Sequence, residues 1–105
     1  MIIIKTSSDN YDSIEKICKN LIGKKLAVCV NVIPNCHSYF FWEGKIQKSK
    51  EYLVLIKTTK INEKKIYDMI KKYHNYDIPE ISTLKLDNID KSYMKWALGE
   101  IIEND

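Results

Sequence analysis

The sequence predicts an α+β domain whose elements follow the order βαββαβ, with one further helix at the C-terminus. Three observations predict it. Short β-branched runs alternate with segments of helical period, the middle of the chain holds a long aromatic extended segment, and the length of 105 residues suffices for one hydrophobic core. We therefore expect residues 1–105 to form a single domain with a long bent hairpin.

The first strand and helix are marked by a change of hydrophobic period near residue 10. Residues 2–7 are rich in β-branched side chains and predict a strand. Apolar residues then recur at helical spacing, at Tyr11, Ile14, Ile17, Cys18, Leu21 and Ile22. Gly23 is placed to end this helix as its C-terminal cap.

The next strand should present one strong core face. In residues 26–33 the even positions are all aliphatic, namely Leu26, Val28, Val30 and Val32. Pro34 interrupts the ladder because proline has no backbone donor. The chain should therefore bend at this point.

The second half of the hairpin is predicted from its aromatic content. Residues 38–47 resume as an extended segment, in which Gly44 suggests a β-bulge or a close approach of the backbone. Residues 48–50 are a plausible turn, and residues 51–59 should form the returning strand. Together with residues 26–33 these pieces make the long bent hairpin.

The second helix has clear local signals at its start. Asn62 is a good N-cap, and Ile61 and Ile66 are spaced as a hydrophobic staple. The apolar stripe consists of Ile66, Met69, Ile70 and Tyr73. The helix should run to about His74.

The last third of the chain predicts one more strand and one more helix. Residues 81–86 form the strand signal, and Asp90 is placed to cap the helix. The apolar face of that helix consists of Met94, Ala97, Leu98 and Ile101. The complete order is that of a split βαβ unit, which is typical of a ferredoxin-like sandwich.

Apolar residues on both faces of the predicted sheet indicate an assembly. In a ferredoxin-like domain the two crossover helices cover one face, so the other face should be polar. The returning strand instead has Tyr52, Val54 and Ile56 on one side and Leu53 and Leu55 on the other. Soluble monomers rarely expose an apolar sheet face, so we expect an oligomer. The alternative is that the C-terminal helix alone covers the second face.

Composition argues against nucleic acid and membranes as partners. The formal net charge is +3, and all 17 basic residues are lysine, whereas arginine provides most bidentate contacts to bases. No stretch approaches the roughly 18 unbroken apolar residues of a membrane helix.

The odd, unpatterned set of Cys18, Cys29 and Cys36 fits a reducing compartment, so we expect a cytoplasmic protein.

Signatures of catalysis are absent, whereas a few residues could bind a metal. The isolated glycines form neither a phosphate-binding loop nor a dinucleotide fingerprint, and no nucleophile elbow occurs, so we expect no enzyme. The candidate metal ligands are Cys29, Cys36, His37 and His74. None has the paired spacing of a structural zinc site. The structural alternatives are a buried small hydrophobe for Cys29 and a surface loop for Cys36 and His37.

Four motifs in order indicate a family. They read Ala-Val-Cys-Val-Asn-Val-Ile-Pro over residues 27–34, Trp-Glu-Gly-Lys-Ile over 42–46, Ile-Lys-Thr over 56–58 and His-Asn-Tyr-Asp-Ile-Pro-Glu over 74–80. This ordered set resembles the CutA family, the divalent cation tolerance proteins, and the resemblance covers essentially the whole chain. It implies a homotrimer whose sheets pack face-inward and whose long hairpins pair across subunits.

The resemblance also has implications for copper. In bacterial relatives, copper binding is associated with a cysteine that ends the first strand and with histidines just before a Pro-Tyr pair. Lys5 and Tyr73 occupy two of the matching positions here, and only His74 remains. Asn75 replaces the proline, and Asp77 replaces the usual Glu or Gln. We therefore expect no required cofactor and at most weak binding of Cu(II) or another divalent cation.

The segment after the second helix is the main candidate for a binding site. The candidates are His74, Tyr76, Asp77 and Glu80, joined by Lys57 and Trp42 from the hairpin. Pro79 restricts the residue before it to an extended conformation and so fixes how Glu80 is presented. The alternative is that Trp42, Tyr76 and Glu80 are subunit-interface residues, since buried aromatic side chains are common at such contacts.

Together these observations predict a non-enzymatic homotrimeric protein that acts in the tolerance of divalent metals. We expect a weak metal or small-ligand site in a cleft between its subunits. One alternative is a structural or interaction module that presents the surface of the trimer to an unknown protein partner. Another is an effector sensor, because the structurally similar PII signalling proteins bind small anionic effectors between subunits. That analogy is one of fold alone.

Overall fold

The computed structural model describes residues 1–103, which form one four-stranded sheet, three α-helices and a short 3-10 turn. The strands are β1 (Ile2–Ser8), β2 (Cys29–Trp42), β3 (Lys45–Thr58) and β4 (Ser82–Lys85), and the helices are α1 (Tyr11–Gly23), α2 (Glu63–Tyr73) and α3 (Lys91–Glu100). The strand order is β2-β3-β1-β4, and every neighbouring pair is antiparallel. The predicted α+β class, element order and additional helix are confirmed.

The core lies between one face of the sheet and helices α1 and α2. Alternate residues of β1 are buried, because successive side chains of a strand point to opposite faces. The fully buried aliphatic side chains are Ile4, Ile14, Ile17, Leu21, Val54, Ile56, Ile66 and Ile70. Each contributes about 1.5–3 kcal/mol of transfer free energy, so this layer holds the strands and helices in register.

The hairpin turns at Glu43 and Gly44, which have φ angles of 50° and 75°. A two-residue turn with both residues in the left-handed region matches the twist of the strands that it joins. The predicted turn at residues 48–50 is wrong, because those residues pair with residues 37–39 inside the hairpin. Gly44 therefore closes the hairpin and does not form a bulge.

The bulge of the hairpin lies instead at the proline. The β2–β3 register shifts between Ile33 and Cys36, and Asn35 has a φ angle of 62°. Because Pro34 has no N–H for the ladder, the irregularity falls where a donor is missing. The predicted bend near Pro34 is present, while β2 begins at Cys29, three residues later than expected.

The far half of the hairpin extends beyond the rest of the sheet. On β3, β1 pairs only with residues 52–58, so residues 36–42 and 45–51 form a two-stranded segment, here called the ribbon. Its large exposed side chains are Tyr39, Phe40, Phe41, Trp42 and Ile46. The ribbon accounts for the elongated shape, which measures 47 Å along its longest axis.

Asn62 does not cap α2, contrary to the sequence prediction. A 3-10 turn over Lys60–Asn62 precedes the helix, and the Asn62 side chain makes no capping bond. Its Nδ2 instead donates to the carbonyl oxygens of Leu26, at 3.2 Å, and Ile102, at 2.7 Å. This buried amide therefore connects the segment after α1 to the segment after α3.

Helix α3 covers only one end of the second sheet face. Its predicted cap is confirmed, since the Asp90 side chain accepts from the Tyr93 N–H. Ala97 and Ile101 are buried with Val28 in a small cluster. The second face elsewhere includes the partly exposed residues Ile3, Ile33, Leu53, Leu55 and Leu84. The alternative that α3 alone covers this face is therefore not supported within residues 1–103.

None of the helices in the described part of the chain combines the length and the apolar composition needed to cross a membrane.

Candidate binding site

The site begins where α2 ends. His74 leaves the helix in an extended conformation, and its N–H still donates to the Ile70 carbonyl at 2.8 Å. The Tyr76 N–H donates to His74 Nδ1 at 3.0 Å, so the ring proton lies on Nε2, which contacts the Ser7 carbonyl oxygen at 2.8 Å. Both ring nitrogens are thus occupied. A metal could bind His74 only after one of these bonds breaks.

Tyr76 connects this segment to the base of the hairpin. Its hydroxyl donates to Glu51 Oε2 at 2.7 Å and accepts from the Asp9 N–H at 3.1 Å. Burial, and then the hydrogen bond to the Glu51 carboxylate, raise the pKa of Tyr76 well above its ordinary value. The phenol therefore stays neutral and serves as a fixed donor.

Asn75 adds a second connection to the end of β1. Its Nδ2 donates to Asp9 Oδ1 at 2.8 Å, and its Oδ1 accepts from the Ser8 hydroxyl. A proline at this position, as in the family motif, could make neither bond. Ser8, Asp9 and Glu51 are parts of the site that sequence reasoning missed. They lie 25 to 67 residues from their partners, so local spacing gives no signal for them.

Glu80 is presented on the open face of the sheet. Its carboxylate accepts from the Ser82 hydroxyl at 3.1 Å and forms an ion pair with Lys5 at 3.3 Å. Both partners of the ion pair are substantially exposed, so it contributes little to stability. It does position the Glu80 carboxylate at the edge of a groove.

The groove has a volume of about 960 Å³ and lies between the ribbon and the segment after α2. Its lining includes four residues of the predicted cluster, Trp42, Tyr76, Asp77 and Glu80. His74 lies beside it, with its ring centroid 4.8 Å from that of Tyr76. The structure thus brings together most of the cluster that the sequence indicated.

Lys57 does not belong to this cluster. It pairs with Ile3 and Cys29 in the sheet, and its Nζ lies 5.9 Å from the ring centroid of Tyr93 on α3. The groove is at the opposite end of β1, at Ser7. The expectation that Lys57 offers a cation to the groove is wrong within one chain.

The ribbon presents different aromatic residues on its two faces. Trp42 pairs with Lys45 and shares a face with Phe40, because side chains alternate along a strand. Ile46 pairs with Phe41 and therefore lies on the other face. Phe40 and Trp42 line the groove, together with Tyr39.

The candidate metal ligands do not converge. Cys36 and His37 are consecutive in β2, so their side chains point to opposite faces and cannot bind one ion as a pair. Cys29 packs against the cluster of Val28 and Ala97 at the far end of the sheet. No group of three His, Cys, Asp or Glu side chains in residues 1–103 is arranged to hold a metal ion.

Comparison with known proteins identifies the family. Residues 1–100 match the family model described as CutA1 divalent ion tolerance protein. The chain belongs to the CutA family. It is 33% identical over 100 residues to the divalent-cation tolerance protein CutA of Pyrococcus horikoshii, covering 95% of this chain and 97% of the relative. The CutA protein of Thermotoga maritima is 34% identical over 102 residues, covering 97% and 100% of the two chains.

Solved CutA structures share the whole fold. The crystal structure of CutA1 from Oryza sativa superposes with a TM-score of 0.92 at 30% identity, covering 98% of this chain and 94% of that one. The ribbon and α3 are therefore part of the shared CutA fold. The predicted family resemblance is confirmed.

Proposed function

We propose that this CutA protein acts in divalent-cation tolerance as a non-catalytic homotrimer whose groove binds a small ligand at the junction of subunits. The observation that supports it is the ribbon. An isolated two-stranded hairpin is marginally stable in water, yet this one exposes five large apolar side chains. A partner that covers the ribbon would stabilise the hairpin and would remove its apolar side chains from water.

A further copy of the chain is the partner that fits best. The second sheet face carries apolar residues such as Ile3, Leu53 and Leu55 beside polar ones such as Lys5 and Ser82. Such a mixed surface suits an interface with an apolar centre and hydrogen-bonding side chains around it. Closed cyclic assembly would also protect the outer edge of β2, which is the first strand of the sheet.

Metal binding in this proposal is weak and requires no resident cofactor. His74 is already bonded at both nitrogens, and Cys36 and His37 face opposite ways. His37 is the exposed imidazole and is therefore the residue that we expect Cu(II) to reach first. Tolerance would then depend on the trimer and its groove rather than on tight sequestration of the metal.

The decisive experiment is a mass measurement of the purified chain by light scattering at micromolar concentration. The proposal requires three times the 12.4 kDa of one chain. A stable monomer would contradict it and would favour a different role, in which the exposed ribbon of a single chain docks on another protein. We also propose the cytoplasm as the compartment, supported by the unpatterned cysteines.

A further inference from the structure

The segments that form helices α1 and α2 carry more than half of the lysines of the protein. Residues 11–25 and 60–73 contain nine lysines and four carboxylates, so their net charge of +5 exceeds the +3 of the whole chain. Six of these lysines form no ion pair within residues 1–103, because the ion pairs of the two segments are Lys19–Glu15, Lys60–Glu63 and Lys64–Asp68. The helix side of the protein therefore attracts anions.

Three of the unpaired lysines line one pocket between the end of α1 and α2, here called the helix pocket. Its volume is about 450 Å³, within the range of small-ligand sites. Lys24 lines it from the residue after α1, and Lys65 and Lys72 line it from α2. An interval of seven residues, about two helical turns, places Lys65 and Lys72 on the same side of the helix. The lysines thus border one cavity from two elements of the fold.

The helix pocket also has an apolar and aromatic part. Leu26 is buried, whereas Met69 and Tyr73 are partly exposed and line the pocket beside it. Lys72 Nζ lies 5.3 Å from the ring centroid of Tyr73. A ligand that binds this ammonium group would therefore be close to the Tyr73 ring as well.

The charge of the helix pocket matches that of a doubly charged anion. Its lining has three amines and one carboxylate, from Asp68, so two positive charges are in excess. The Asp68 carboxylate already pairs with Lys64, outside the lining, at 3.0 Å. A phosphate monoester carries about 1.5 to 2 negative charges at pH 7, and its oxygens accept hydrogen bonds from ammonium groups. A single carboxylate would compensate only half of the excess.

The end of α1 does not oppose an anion in the helix pocket. Free carbonyl groups at a helix C-terminus carry partial negative charge and would repel it. Here the carbonyl groups of Asn20, Leu21 and Ile22 accept hydrogen bonds from the N–H groups of residues 24–26 at 2.9–3.0 Å. They are therefore not free acceptors at the pocket.

We propose that the helix pocket binds a small organic phosphate. The phosphate group contacts Lys24, Lys65 and Lys72, which act as point charges for its oxygens. The apolar part of the ligand packs on Met69 and Tyr73. This site is separate from the groove, since it lies on the side of the sheet that α1 and α2 cover.

Three probes with one aromatic ring test the class of ligand. Phenyl phosphate has the double charge, benzoate has a single charge and phenol is neutral. Titration of the full chain, followed by NMR shifts of the backbone amides, should show phenyl phosphate binding at residues 24–26 and 65–73. Benzoate should bind more weakly, and phenol more weakly still. Equal affinity for phenyl phosphate and benzoate, or shifts outside these residues, would overturn the proposal.

Matched lysine variants separate the helix pocket from the general positive charge. Lys24→Gln and Lys72→Gln should each weaken phenyl phosphate binding about fivefold or more, because each removes one ammonium group from the pocket. Lys71→Gln is the control, since Lys71 is also exposed and unpaired in the last turn of α2 but does not line the pocket. It should change the affinity less than about twofold. Equal losses in Lys71→Gln and Lys72→Gln, or no loss in Lys24→Gln, would overturn the proposal.

The outcome is distinguishable from that of the proposed trimer. All three variants replace exposed side chains, so each should fold as the wild type does. A monomeric chain that binds phenyl phosphate at the helix pocket would contradict the homotrimer and support this site. A trimer that binds no phenyl phosphate would overturn this site and leave the homotrimer intact.

Discussion

At the scale of single residues, the segment after α2 is fixed by its own polar side chains. His74 and Tyr76 each use every strong hydrogen-bonding atom of their rings on the protein itself. The residues that looked like ligands are therefore parts of the framework that shapes the groove. Substitutions there should change stability before they change any binding property.

Tyr76→Phe tests this framework role. The variant loses the donor to the buried Glu51 carboxylate, so its free energy of unfolding should fall by about 1–3 kcal/mol. The exposed Tyr39→Phe is the matched control and should change stability by less than about 0.5 kcal/mol. Urea unfolding of both variants measures the difference, and equal losses would contradict the role of Tyr76.

The same tyrosine predicts a pH dependence. The pKa of Tyr76 is raised in the folded chain, so the folded state holds this proton more tightly than the unfolded state. The contribution to stability is complete below about pH 10, the pKa of an unfolded tyrosine, and is lost progressively as the pH rises above it. Tyr76→Phe should therefore show a smaller alkaline loss than the wild type. If stability falls equally with pH in the wild type and in Tyr76→Phe, the alkaline loss does not arise from Tyr76.

Copper titrations separate the two histidines. His74→Ala should lower the free energy of unfolding by about 1–3 kcal/mol, because two hydrogen bonds are lost, and should leave Cu(II) affinity nearly unchanged. His37→Ala should leave stability unchanged and reduce the weak Cu(II) binding. Because protons compete for imidazole, that binding should weaken as the pH falls. Calorimetry showing one tight copper site that survives both substitutions would refute this view.

At the scale of elements, the spacing of apolar residues predicts the structure better than the turn and capping residues do. The periods locate the three helices and the strands β1 and β4, because buried faces such as that of Ile14, Ile17 and Leu21 repeat at regular spacing. The hairpin turn was misplaced because Glu43 is an ordinary residue in a left-handed conformation. Asn62 was wrongly predicted as the N-cap of α2, because its side-chain amide donates instead to the distant carbonyl oxygens of Leu26 and Ile102. Long-range partners of this kind leave no local trace.

The turn itself offers a stability test. Glu43 has a φ angle of 50°, which asparagine tolerates better than glutamate, so Glu43→Asn should raise the free energy of unfolding by about 0.5–1 kcal/mol. Gly44→Ala, at a φ of 75°, should lower it by about 1 kcal/mol. Thermal unfolding of the two variants measures both signs. If both variants change the free energy of unfolding in the same direction, the left-handed conformation of this turn would be contradicted.

At the scale of the whole molecule, the two sheet faces have different roles. Val54 points into the helix-covered core, whereas its neighbour Leu55 points to the open face and remains partly exposed. The site residues Glu80 and Lys5 lie on the same open side. Assembly and ligand binding would therefore use one surface, while the other face holds the chain together.

A pair of adjacent substitutions separates these roles. Leu55→Asp should leave the chain folded and dissociate the proposed trimer, because an unpaired carboxylate is unfavourable in an apolar interface. Val54→Asp should unfold the chain itself, since that position is fully buried. Circular dichroism reports folding and light scattering reports mass. A Leu55→Asp variant that keeps the full wild-type mass would contradict the proposed interface.

The ribbon also has a consequence for the newly made chain. In the proposed assembly, a chain that has not yet met other copies displays aromatic side chains next to an open strand edge, which is the composition that promotes disordered aggregation. Lys45, Lys48 and Lys50 lie on its returning strand, and their mutual repulsion opposes such contacts. Salt screens that repulsion, so the yield of soluble protein on refolding should decrease as ionic strength rises. The lysines of this segment would thus act as gatekeepers during the interval between synthesis and assembly.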